Sequence, residues 1–189
     1  MTLRSEIINK RKELSTEERI RLSDIITEKV RGLNEYKKAD KVLVYADNNG
    51  EVATDKLINI SLLEGKKVYA PVSLQNFELD FYRVFALDEM EPAAYGIREP
   101  LKIEYLKLND NDVTPDTICI TPGTVFDRKC NRMGYGKGYY DRFFARMKIE
   151  NRIGLAFELQ MTDRIDKKES DIPMTAVVTE ENIWKIPKN

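Results

Sequence analysis

The stretch from residue 41 to residue 71 constrains the fold of this chain most. Lys41-Val-Leu-Val-Tyr-Ala46 is a short apolar run of strand length, and Lys67-Val-Tyr-Ala-Pro71 is another. Between them Asp47-Asn-Asn-Gly-Glu51 is a turn by composition. Thr54 then stands where it can cap a helix of about ten residues that Gly65 ends. Strand, crossover helix and strand in that order predict a parallel pair with a right-handed connection. Glu51 falls just past the carboxyl end of the first strand, where open α/β sheets hold their ligands.

The rest of the chain continues the alternation. Residues 3 to 33 read as two helices. The second opens on a capping box, Ser15-Thr-Glu-Glu18, and carries the stripe Ile20, Leu22, Ile25, Ile26, Val30 and Leu33. Residues 77 to 85 alternate loosely, as in a strand with one wet face. Leu87 to Asp116 contains Pro92, Gly96, Pro100 and Pro115 and is expected to be a long loop. Thr117-Ile-Cys-Ile-Thr121 reads as a buried strand stopped by Pro122-Gly123. Arg152 to Phe157 and Thr175 to Thr179 are two more strands, and Ile183 to Ile186 a last edge strand. The pattern predicts an α/β fold: a three-layer single domain, residues 1–189, with a mostly parallel central sheet flanked by helices.

The densest chemical signal is Arg132-Met-Gly-Tyr-Gly-Lys-Gly-Tyr-Tyr-Asp141, where Gly134, Gly136 and Gly138 alternate and Lys137 separates the last two. Tyr140, Phe143, Phe144 and Met147 then follow helical spacing. A glycine loop entering a helix N-terminus is a ready anion site, because free N–H groups and the helix dipole point the same way. Arg128, Lys129, Arg132, Lys137, Arg142, Arg146 and Lys148 surround it against the single acid Asp141, although the chain's net charge is −1. The spacing is neither the Walker A pattern nor the dinucleotide fingerprint. It therefore points to phosphate or another anion and goes no further.

Composition removes whole classes of chemistry. The chain has no histidine, so Ser-His-Asp, Cys-His and histidine-zinc mechanisms are excluded. Carboxylates, lysine, arginine, tyrosine and a hard cation such as Mg²⁺ remain, a set suited to phosphoryl chemistry. Two cysteines, no signal-peptide pattern and no run of roughly 20 apolar residues predict a soluble cytoplasmic protein without a membrane partner. The expected oligomeric state is a monomer or weak dimer.

With these motifs placed, the sequence resembles the 5-formyltetrahydrofolate cyclo-ligase family over most of its length. Pro122-Gly-Thr-Val-Phe-Asp127 and Arg132 to Phe143 are the most specific pieces. Lys10-Arg-Lys12, Gly50-Glu51, Tyr95-Gly-Ile-Arg-Glu-Pro100, Ile153 to Phe157 with Gln160, and Asp171-Ile-Pro support them. The resemblance implies ATP- and Mg²⁺-dependent closure of 5-formyltetrahydrofolate to 5,10-methenyltetrahydrofolate through phosphorylation of the formyl oxygen. It implies that Arg4, Arg132, Met133, Gly134, Tyr135, Gly136, Lys137, Gly138, Tyr139 and Tyr140 hold ATP, with Lys137 and Arg132 catalytic. Asp141 would take Mg²⁺, and Ala46, Glu51 and Tyr95 would take the pterin. Two departures stand out. The lysine usual ahead of the N-terminal arginine would fall before Met1, and the second acid near the C-terminus is replaced by Thr175.

Two other readings compete. A basic loop interleaved with Tyr135, Tyr139 and Tyr140 could grip single-stranded RNA by phosphate contacts and stacking. The acidic net charge and the missing RRM-type aromatic signature argue against it, and no nucleic-acid partner is expected. The other is an enzyme of this fold acting on a sugar phosphate without ATP.

Overall fold

A computed structural model of the chain describes residues 2–93 and 96–187. Helix α1 (Leu3–Lys12) starts on Thr2 and Ser5, each side chain bonding the other's backbone N–H, and ends on Lys10, Arg11 and Lys12, which favour the negative end of its dipole. Helix α2 (Thr16–Gly32) starts on Ser15, whose hydroxyl accepts from the Glu18 N–H at 3.1 Å. The other half of the expected capping box does not form, because the Glu18 carboxylate pairs with Arg21. Leu22, Ile26, Val30 and Leu33 are buried, whereas Ile20 and Ile25 are exposed and lie off the packed stripe. A short helix, α3 (Asn34–Lys38), leads into the sheet.

The predicted crossover is present. Strand β1 (Lys41–Val44), helix α4 (Asp55–Leu63) and strand β2 (Lys67–Ser73) form a parallel pair with Leu43 opposite Tyr69. Thr54 occupies the N-cap position of α4, but its hydroxyl donates to the Tyr45 carbonyl at 2.7 Å rather than capping the helix. Strand β3 (Leu79–Val84) returns antiparallel beside β2. Its predicted wet face is absent, because Asp80 and Tyr82 are buried too. Asp80 is held at 2.7 Å by Lys107 and at 2.8 Å by Arg146. Among the described residues the long loop contains the two-residue strands β4 (Glu91–Pro92) and β5 (Arg98–Glu99) and short 3₁₀ turns.

Strand β6 (Thr117–Thr121) is followed by a small hairpin, β7 (Val125–Asp127) and β8 (Arg132–Met133), too short to show any periodicity in the sequence. After helix α5 (Tyr139–Met147) come β9 (Asn151–Leu155), β10 (Met161–Thr162), β11 (Ala176–Val178) and β12 (Ile183–Lys185). The main sheet runs β12-β11-β9-β6-β1-β2-β3. Its five inner strands are parallel and both edges antiparallel.

Alternate residues point to opposite faces of a strand, and here both faces are covered. Val42, Val44, Ile118, Ile120, Ile153 and Leu155 pack with Leu22, Ile26 and Val30 of α2 and Leu57 and Ile58 of α4. Leu43, Cys119 and Val177 pack on the other side with Phe143, Phe144 and Met147 of α5. Continuous apolar strand sequences follow from this double burial.

Phe126 of the hairpin, fully buried, reaches over the sheet against two glycines. A Cβ on Gly123 would fall 2.4 Å from its ring, and one on Gly154 would fall 2.5 Å from it. Gly154→Ala is therefore expected to overpack this contact and lower stability by about 1–3 kcal/mol. Urea unfolding measures the loss, and Phe126→Leu added to Gly154→Ala should restore part of it.

Candidate active site

Parallel strands β1, β2 and β6 all end at one cavity of about 770 Å³. Tyr45, Ala46 and Glu51 enter it beyond β1, Pro71 and Ser73 at the end of β2, and Pro122 and Gly123 beyond β6. The opposite wall is the whole run 132–141, with Arg4 of α1 beside it. Every expected site residue except Tyr95 thus lines the same space. Tyr95 lies outside the described residues.

The loop is built on backbone that side chains disfavour. Gly136 and Gly138 have φ of 89° and 68°, and Gly138 is the N-cap of α5 without a side chain to cap it. The first-turn N–H groups of α5 have no intrahelical acceptor. The Arg4 guanidinium lies 3.5 Å from where a Cβ on Gly136 would stand, so Arg4 and the loop meet as expected. Arg142 ties the loop down, since its guanidinium donates to the carbonyls of both Lys137 and Phe77. Lys137 itself is exposed, with its ammonium 4.9 Å from the centre of the Phe77 ring. Arg132 lies underneath. It bonds Asp141 at 3.1 Å and faces the Tyr140 ring at 5.4 Å. Among the described residues the Nε atoms of Arg4 and Arg132 are buried without a hydrogen-bond partner, and the two guanidinium groups give this wall a positive charge that suits an anion.

The other end differs in character. Glu51 is 8% exposed and accepts from the Asn48 N–H at 3.1 Å. Burial lifts its carboxyl to about 7, opposed by the charge of Arg11 and by the bond from Asn48. Tyr45 beside it is buried, donates its hydroxyl to the Val52 carbonyl at 2.9 Å and has its phenol raised by that burial. Asp47 fixes the turn through Arg19 at 3.1 Å and the Thr54 N–H at 3.0 Å.

A strap from Ile165 to Asp171, which sequence reasoning largely missed, closes a third side with Asp166, Lys168, Ser170 and Asp171. It has no periodicity to reveal it, and only Asp171-Ile-Pro had drawn notice. The fully buried Asp127 carboxylate anchors it, accepting from the N–H groups of Ile165, Asn131 and Lys129 and from the Asn131 side chain. Gln160 similarly holds the Gly123 lip, donating to the Gly123 carbonyl at 2.8 Å. Arg11, between the exposed Lys10 and Lys12, is 1% exposed.

The donor set suits a lightly held hard cation. Among the described residues no cluster of three metal-ligating side chains exists. Asp141, at the end of the basic run, and Asp166 and Asp171 of the strap nonetheless line the cavity, and Mg²⁺ commonly takes one or two carboxylates, waters and substrate phosphates. Thr175 plays no such part, because its hydroxyl is engaged with the Arg152 backbone on the sheet.

Fold and cavity together define an open α/β enzyme with its site at the strand ends and a glycine loop for one wall. The chain belongs to the 5-formyltetrahydrofolate cyclo-ligase family, whose model matches residues 1–180. It is an enzyme of a ligase family, and the assignment gives no support to the RNA-binding reading. A 5-formyltetrahydrofolate cyclo-ligase from Escherichia coli strain K12 is 33% identical over 152 residues, 78% of this chain and 81% of that protein. One from Haemophilus influenzae is 30% identical over 179 residues, 91% of this chain and 92% of that one. The solved structure of Aquifex aeolicus 5,10-methenyltetrahydrofolate synthetase matches with a TM-score of 0.84 at 35% identity, covering 99% of this chain and 92% of that one. No helix among the described residues is long and apolar enough to cross a membrane.

The raised Glu51 carboxyl has a consequence for stability. The fold favours the protonated form, so its contribution is complete below pH 4.5 and is lost as pH rises through about 7. Glu51→Gln removes this term. The stability of the variant relative to the parent should rise by on the order of 3 kcal/mol between acid and pH 8. Urea unfolding of both proteins across that range measures it.

Proposed function

We propose that the chain closes 5-formyltetrahydrofolate to 5,10-methenyltetrahydrofolate, with ATP as phosphoryl donor and with release of ADP and phosphate. One observation carries the reading. A single cavity has a buried carboxylate among apolar walls at one end and a cationic glycine loop with free donors at the other. A pterin presents paired N–H donors on a flat apolar ring and suits the first end, and nucleotide phosphates suit the second.

In the reaction the formyl oxygen attacks the γ-phosphorus and the bond to ADP breaks. The nearby amine nitrogen then adds to the activated formyl carbon, the C–O bond to phosphate breaks, and the amine proton leaves to solvent. Phosphorylation turns a poor leaving group into a good one, so a strong base is unnecessary and the missing histidine is no obstacle. Lys137, Arg132 and Arg4 hold and neutralise the phosphates, and the loop N–H groups add fixed donors. Glu51 and Ala46 orient the pterin. Tyr95, which lies outside the described residues, is proposed as an aromatic wall of that subsite. Asp141, bonded to Arg132, stands where Mg²⁺ would be held together with ATP, and the ion would neutralise phosphate charge. Both cysteines are free and buried, which suits the cytoplasmic setting expected from the sequence.

Product absorbance, followed with 5-formyltetrahydrofolate, ATP and Mg²⁺ each omitted in turn, tests the reading. Product is expected only with all three, and equal product without ATP would sink it. Two further outcomes concern single residues. Lys137→Met should fold normally and lose about 10²–10³ in turnover, because a preorganised charge that follows the migrating phosphoryl group is gone. A change confined to the Michaelis constant for ATP would reduce Lys137 to a binding charge. Folate binding needs the ionised Glu51, so affinity should fall about tenfold per pH unit below about 7. Calorimetry on Glu51→Gln should show weaker binding without that slope.

A further inference from the structure

Arg11 is among the largest fully buried side chains of the described residues, yet it does not line the cavity. Its neighbours Lys10 and Lys12 on α1 are exposed. Among the described residues it makes no ion pair, and its Nε has no hydrogen-bond partner. Its charge acts on the buried Glu51 carboxyl without an ion pair between them. Burying a guanidinium in this way is costly, and an apolar side chain would make a cheaper structural peg. What it touches gives the reason for its presence. Its Nη2 donates both to the Asn49 carbonyl at 2.7 Å and to the Tyr135 hydroxyl at 3.0 Å. Its Nη1 reaches the Gly123 carbonyl at 3.5 Å. Asn49 belongs to the turn that presents Glu51, Tyr135 to the glycine loop, and Gly123 to the lip between them. The turn is held in left-handed backbone at Asn49 and Gly50, with φ of 50° and 73°, and Gly50 packs directly on Arg11. One nitrogen atom therefore joins the two chemically different ends of the cavity.

We propose that Arg11 is a positioning residue that couples the two ends, so that a nucleotide on the glycine loop orders the Glu51 turn and tightens folate binding. This rests on the proposed function. Tyr135 is half exposed, and phosphates seated on the loop would restrict it. Its hydroxyl then holds the Arg11 guanidinium, which holds the Asn49 carbonyl and with it the approach of Glu51. Coupling is reciprocal, so folate tightens the nucleotide by the same factor. The arrangement favours the state in which both reactants are present over one in which ATP waits alone.

The test uses the full chain, 5-formyltetrahydrofolate and a non-hydrolysable ATP analogue. In the parent protein the analogue should slow amide exchange in residues 132–140 and also in 48–52, and should tighten folate by roughly fivefold, the low end of ordinary couplings. Tyr135→Phe removes one bond of the bridge, together with the direct Tyr135–Glu51 hydrogen bond, with little risk to folding, and Arg11→Met separates the two. Tyr135→Phe should keep protection of the loop, lose protection of the turn and bring the folate ratio near one. Arg11→Met should do the same where it folds, and where it does not, Tyr135→Phe decides. Loop protection in the parent without turn protection would overturn the coupling and leave the proposed function standing. So would variants in which both affinities fall while their ratio persists. Absence of any nucleotide protection in the parent would overturn the reading of the site and the coupling together.

Discussion

Burial of the parallel sheet on both faces is the constraint from which the rest follows. Val42 and Val44 face α2 and α4 while Leu43 faces the α5 side, so neither surface of β1 is free to hold a ligand. What the helices cannot cover is the sheet's end. Chains leave β1, β2 and β6 at their carboxyl ends and diverge, and the cavity opens where they part. The site therefore follows from topology before any catalytic side chain is considered.

Irregular segments must then be held around that opening without secondary structure of their own. Buried polar groups do this work. Asp127 gathers backbone N–H groups from the hairpin turn and from the strap at Ile165, and Gln160 secures Gly123 and Thr124. Gln160 is satisfied by backbone partners and Asp127 by backbone N–H groups and the Asn131 side chain, which makes a buried polar side chain favourable rather than costly. Phe126, wedged against Gly123 and Gly154, adds a close-packed contact that leaves no room for a side chain at either glycine. Much of the Pro122–Asp127 motif is thus scaffolding for the chemistry rather than chemistry itself.

This division explains what the sequence revealed. The crossover from Lys41 to Pro71, the buried strand at Thr117 and the helix at Tyr139 were legible because apolar periodicity encodes them locally. The glycine loop was legible because its composition is unusual. The strand at Leu79 was misjudged, since Asp80 and Tyr82 look like a wet face until Lys107 and Arg146 are seen to close over the acid. Hairpin β7–β8 and the strap at 165–171 were invisible, being too short or too irregular for any period. The burial of Arg11 was hidden for another reason. Charged residues at the end of a helix usually favour its dipole and face water, and only the tertiary arrangement shows one of three turned inward.

Glu51 and Asp141 show how the cavity keeps two carboxylates apart in character. Asp141 already has Arg132 on one oxygen and the Ile172 N–H on the other, so its position is set by the protein itself. Glu51 accepts from the Asn48 N–H and from the Tyr135 hydroxyl and makes no ion pair among the described residues, and it stays poised near neutrality because burial and the charge of Arg11 oppose each other. A carboxylate left under-satisfied in an apolar recess is unfavourable for the empty protein, and a ligand bringing paired N–H donors relieves exactly that deficit. The basic loop has the complementary deficit, with donors but too few acceptors. Each end of the cavity is incomplete in the way its proposed ligand would complete it, so selection for two ligands rather than one is built into the unpaired groups themselves.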